Sequence, residues 1–205
     1  MNNKNKALIC IDFINDIIHP NGKLAGKGYG DFIQAHNTLI NLAIAQRILR
    51  ENNYLVVHVR IGFSSDYIEH PAGSPLFGKA KEFQALHLGG WGTEFVDGIG
   101  IVDGDYSLTK HRISAFFGTN LDLILKTQNV QELYIAGVAT DLAVESTSRD
   151  AHDRDYSVTV LSDCCAAASI ADHTNSLATL QKIASVKTIQ GLTVFGKKKV
   201  SQTAV

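Results

Sequence analysis

The chain has 205 residues, 45% hydrophobic and 19% charged, with a formal net charge of −1. That is enough for one domain with a real core, and it leaves no electrostatic footprint for nucleic acid or an anionic membrane. The three cysteines, Cys10, Cys164 and Cys165, are odd in number with two adjacent, which is no disulfide framework and fits a reducing, cytoplasmic setting.

The chain opens on an apolar run at residues 7–11. It is too short for a signal core or a membrane span and reads as a buried strand. Residues 39–49 follow as a helix, because Leu39, Leu42, Ala43, Gln46 and Leu49 recur at spacings of three and four. Residues 55–59 form a second strand and 106–109 a short third. The Gly-rich stretch 89–104 between them reads as a long active-site loop. Helix 121–125, strand 133–138, helix 141–155, strand 158–161, helix 173–184 and strand 186–189 complete the alternation. Lys197, Lys198 and Lys199 read as a solvated tail.

Strand and helix by turns require crossover units. The strands are continuous apolar runs, as a sheet covered on both faces needs. The expectation is one α/β domain over residues 1–205, three-layered and doubly wound around a mostly parallel six-stranded sheet. In such sheets ligands bind beyond the carboxyl ends of the strands. That directs attention to Asp12, Arg60, Lys110, the turn Ala139 to Ala143, and Asp163.

Each of these has an ordinary reading beside a chemical one. Asp12 ends the first strand, where a carboxylate is costly without a partner, yet it could simply cap the following turn. Lys110, with His111 and Arg112, could be a solvated edge. Thr140 or Asp141 caps a helix whose first N–H groups lack internal partners and favour an oxyanion or carboxylate. Plain strand-to-helix turns look similar. There is no G-x-G-x-x-G after the first strand, no P-loop and no G-x-S-x-G elbow.

Three segments carry a resemblance: Asp12-Phe13-Ile14-Asn15-Asp16, Lys110-His111-Arg112-Ile113-Ser114-Ala115-Phe116, and Gly137-Val138-Ala139-Thr140-Asp141-Leu142-Ala143 continuing to Thr147, Arg149 and Ala151. Together they resemble the isochorismatase-like hydrolases, a family that includes nicotinamidases and N-carbamoyl amidases, over residues 6–189. The resemblance implies a Rossmann-like topology, assembly as a homodimer or larger homo-oligomer, and a small-molecule substrate. It assigns catalysis to Asp12, Lys110 and position 143. It also implies a cis peptide at Val138–Ala139, with the backbone of Val138, Ala139 and Ala143 forming an oxyanion site.

The departures decide the function. The family's nucleophilic cysteine falls on Ala143, whose methyl group cannot attack a carbonyl. Three readings stay open. One is vinyl-ether hydrolysis, as in the family's thiol-free isochorismatases: isochorismate would yield 2,3-dihydro-2,3-dihydroxybenzoate and pyruvate, with Asp12 as general acid. A second is a cysteine amidohydrolase disarmed at position 143. A third is a non-catalytic small-molecule binder. Ile14 replaces the family's frequent glutamine and makes the surroundings of Asp12 more apolar. The Asp-x-His metal pair of nicotinamidases is replaced by His58-Val59-Arg60, His70 and His87 are isolated, and His152 falls on the polar face of a helix among Asp150, Asp153 and Arg154, so no metal and no cofactor are expected. Arg60 could clamp a substrate carboxylate or form a structural ion pair. Phe63, Trp91 and Phe117 could wall the pocket or pack the core. Ile14 and Thr140 complete the expected substrate contacts.

Overall fold

The computed structural model describes residues 5–192; the lysines at 197–199 lie outside them. Six strands form one sheet: β1 Lys6–Ile11, β2 Leu55–Ile61, β3 Tyr106–Lys110, β4 Glu132–Val138, β5 Ser157–Ala166 and β6 Ser185–Lys187. Their order is β3-β2-β1-β4-β5-β6, and every pairing is parallel. The helices are α1 Asn15–Ile18, α2 Tyr29–Ala35, α3 Thr38–Glu51, α4 Leu121–Thr127, α5 Glu145–His152 and α6 Ile170–Leu180. A π turn at Thr140–Val144 leads into α5.

The two faces of the sheet follow from the alternation of side chains along each strand. Leu8 and Cys10 of β1, Val56 of β2 and Tyr134 and Ala136 of β4 share one core with Leu42, Ala45 and Leu49 of α3. Ala7, Ile9, Ile11, Val57, Val59, Leu133 and Ile135 share the other with Leu121, Leu125, Ala151 and Leu180. Both faces are dry, which is why these strands carry so little polar alternation.

The structure departs from the expectation where short or irregular elements escape periodicity. α1 and α2 have too few residues to show an apolar stripe. α6 starts at Ile170, ahead of residue 173, because Ser169 caps it: its Oγ accepts from the Asp172 N–H at 3.1 Å. β5 runs on to Ala166, so Cys164 and Cys165 lie inside a strand and do not follow one. All three thiols are buried, and burial pushes their pKa values up, to about 12 for Cys10 and Cys165. They are small core fillers, inert as nucleophiles.

Candidate active site

The strand order reverses direction between β1 and β4, the switch point where open α/β sheets bind ligands. Asp12 follows β1 there, with φ 60°. Aspartate tolerates this left-handed conformation better than most residues. Its N–H donates to the Val59 carbonyl at 2.8 Å, which anchors the turn to β2. β4 ends alongside at Val138. Gly137 is required just before it, since a Cβ would sit 3.0 Å from the Ile11 carbonyl oxygen and from Val144 Cγ2.

Lys110 closes β3, two strands away from β1, and its long side chain crosses under the end of β2. Lys110 Nζ meets Asp12 Oδ2 at 2.8 Å; the side chains are 1% and 5% exposed. The same nitrogen donates to the Arg112 carbonyl at 3.1 Å and the Ile113 carbonyl at 2.7 Å. An ammonium has three N–H donors, and here all three are committed. Asp12 is only half satisfied: Oδ1 is buried with no hydrogen-bond partner. Burial raises the Asp12 pKa above its ordinary value, and this outweighs the opposing pull of Lys110 and of the Ile61 backbone.

The peptide bond Val138–Ala139 is cis. The Ala139 carbonyl accepts from the Leu142 and Val144 N–H groups at 3.3 and 3.1 Å. Val138, Ala139 and Ala143 line a cavity of about 240 Å³ together with Asp12 and Lys110. Apolar side chains from Ile17, Leu24, Phe77, Leu86, Ile113 and Leu142 form its walls. Lys27, Tyr29, Lys79 and Phe83 stand toward its mouth. The result is a buried carboxyl, with one oxygen paired to Lys110 and the other without a hydrogen-bond partner, in the lining of a largely apolar chamber that Ala143 shares.

Six residues expected to touch a substrate do not line this cavity. Ile14 is fully buried in the core, and its backbone bridges to Phe95. Arg60 lies on the face of β2 that carries His58; its guanidinium rests 5.4 Å from the Phe95 ring centre. It is neither a carboxylate clamp here nor a partner in an ion pair among the described residues. Phe63 is fully buried and packs on Tyr67, Phe77 and His111, so it supports the wall from behind. Trp91 meets His19 edge-on and belongs to a separate cavity with Asp16 and His87. Phe117 is exposed at the surface. Thr140 is buried under α6, with Oγ1 2.8 Å from His173 Nδ1, so it fixes the π turn from the far side.

The loop expectation also shifts. Stretch 89–104 contributes no residue to the cavity; the irregular segment before it contributes Pro75, Leu76, Phe77, Lys79, Ala80, Phe83 and Leu86. Reading strand ends missed these residues because they belong to no strand. The available signal was Phe77, Phe83 and Leu86 recurring in a non-periodic segment that a polar loop would not contain. Asp16 accepts from the Lys23 and Leu86 N–H groups at 3.2 and 2.6 Å and so ties the first turn to that segment. Among the described residues, no three His, Cys, Asp or Glu side chains gather in a group that could hold a metal ion.

The model of the isochorismatase domain matches residues 6–190. The chain belongs to the isochorismatase family. It is 33% identical over 169 residues to the ureidoacrylate amidohydrolase RutB of Cronobacter sakazakii, covering 77% of this chain and 72% of that protein. The structure of N-carbamoylsarcosine amidase from Thermoplasma acidophilum is similar with a TM-score of 0.72 and 27% identity, over 92% of this chain and 98% of that one. The pyrazinamidase/nicotinamidase of Streptococcus mutans is similar with a TM-score of 0.74 and 25% identity, over 88% and 99%. The protein is thus an isochorismatase-family hydrolase.

Proposed function

We propose that this isochorismatase-family hydrolase works without a covalent intermediate, using Asp12 to transfer the proton and water as the nucleophile, on a small carboxylated molecule such as the vinyl ether isochorismate. The observation that carries this reading is the Asp12 carboxyl, which lines the cavity together with Ala143 and has one oxygen, Oδ1, buried without a hydrogen-bond partner. A carboxyl whose pKa is raised by burial keeps its proton nearer neutrality and suits a general acid. Protonation of the vinyl ether's methylene carbon leaves an oxocarbenium ion. Water adds to the ether-bearing carbon, and the hemiketal collapses by breaking the bond from that carbon to the ether oxygen, releasing pyruvate and the ring alcohol. The proton lost by water restores Asp12. Lys110 holds Asp12 in place through Oδ2 and leaves Oδ1 to the substrate.

The test is pyruvate release from isochorismate. Asp12→Asn keeps the shape but cannot donate a proton of comparable acidity. The expected loss is on the order of 10²–10⁴-fold, the usual worth of a positioned proton-transfer group. No release by the unmodified protein, or release undiminished in Asp12→Asn, would overturn the reading.

A second reading rests on the relatives. An ureidoacrylate amidohydrolase, an amidase and a nicotinamidase all act on C–N bonds by name. On that reading the cavity takes an amide or ureido compound, and position 143 lacks the atom that would attack it. Ureidoacrylate and nicotinamide are the compounds to try.

A further inference from the structure

We infer that the cavity selects molecules with an apolar body and an anionic end, and that this anion is recognised at the mouth by Lys27 and Lys79. This rests on the reading of the cavity as the substrate site, but not on which bond is broken. The bottom of the cavity offers no spare cation. Lys110 is the only positive group there, and its three donors go to Asp12, Arg112 and Ile113. Asp12 is the one carboxyl among the lining residues.

The mouth differs. Lys27 ends a short 3-10 turn, Ala25–Lys27, and Lys79 belongs to the irregular segment across the opening. Both are exposed, and neither has an ion-pair partner among the described residues. Lys79 Nζ lies 5.9 Å from the centre of the Phe83 ring, which lines the same opening. Lys27 is placed by Gly28, whose φ of +87° and close approach to the Ala168 carbonyl, 2.9 Å from a would-be Cβ, admit no side chain. Two ammonium groups above an apolar chamber match a molecule whose hydrocarbon part is buried and whose charge stays at the surface.

The probe pair is 3-phenylpropionate and its neutral isostere 3-phenylpropanamide, titrated calorimetrically into the full chain. Turnover does not enter, so the result is independent of the hydrolysis assay. The acid is expected to bind about tenfold tighter than the amide, as two solvent-screened ion pairs would give. In Lys27→Gln/Lys79→Gln the advantage falls to about twofold with amide binding unchanged; these are exposed positions where folding is not at stake. Raising salt from about 50 to about 500 mM shrinks the advantage of the acid in the unmodified protein only. Ala143→Phe, which fills the chamber, abolishes binding of both. Equal binding of acid and amide, no binding of either, an advantage that survives the double substitution, or acid binding that survives Ala143→Phe would each overturn the inference.

Discussion

Ala143→Cys is expected to create amide hydrolysis where the unmodified protein has none. Position 143 is 4% exposed and lines the cavity with Asp12, and cysteine adds only one atom to alanine. The new thiol would stand in the same chamber as the free Oδ1 of Asp12, the group able to take its proton. A thiolate formed there attacks the carbonyl carbon, the amine leaves with that proton, and water hydrolyses the thioester. The gain over the unmodified protein should be on the order of hundredfold or more, since proton transfer alone is worth that much. Ammonia release from ureidoacrylate and nicotinamide checks it. The same substitution should lower any pyruvate release, because it occupies space that the attacking water needs. An Ala143→Cys protein that folds and still hydrolyses no amide would show that Asp12 and position 143 do not share one reaction centre.

Lys110→Met is expected to be the most destabilising single change in the site. It removes the one charge paired with Asp12 and strips the donor from the Arg112 and Ile113 carbonyls. Breaking a buried pair from one side costs about 3–5 kcal/mol. Asp12 limits the damage by holding its proton, and that gives the loss a pH signature. Its folded-state pKa is already above the ordinary 3.8 and rises further without Lys110. The folded state then binds the proton more tightly than the unfolded one, so stability is greatest below the unfolded pKa and falls as pH rises through the folded pKa. Urea denaturation of Lys110→Met at several pH values should show stability declining from about pH 4 upward. Asp12→Asn/Lys110→Met should recover part of the loss at neutral pH, because neither charge is left buried. A flat pH dependence in the single variant would mean that burial does not raise the Asp12 pKa.

How much of this was legible without coordinates depends on which physical signal each part leaves. The central strands were readable because burial on both faces forces continuous apolar runs, as in β1 and β4. The helix α3 was readable because Leu42, Gln46 and Leu49, all buried, repeat at its period. Asp12, Lys110 and Ala143, which line one cavity, were legible from strand ends and from the family resemblance of the segments around them. The cavity walls were not. Ile17 and Leu24 come from the short turns after β1, and Phe77, Phe83 and Leu86 from a segment with neither period. Arg60 illustrates the opposite error. It ends a strand at the correct edge of the sheet, yet its side chain rests on Phe95 beside His58, away from the cavity. Sequence position places a residue at an edge of the sheet, whereas the side on which its side chain finds a partner is decided by packing.

The central claim is that Asp12 acts as a proton donor in a hydrolase without a nucleophilic side chain. The pH dependence of the turnover of isochorismate, followed as pyruvate, tests it most directly. If Asp12 must be protonated, the rate should be highest at low pH and decline as pH rises through the burial-raised pKa of Asp12, above the ordinary carboxyl value of 3.8. That limb should be absent from any residual activity of Asp12→Asn. A rate that instead climbs with pH would make Asp12 a base, and no turnover at any pH would remove isochorismate as its substrate; either result contradicts the account.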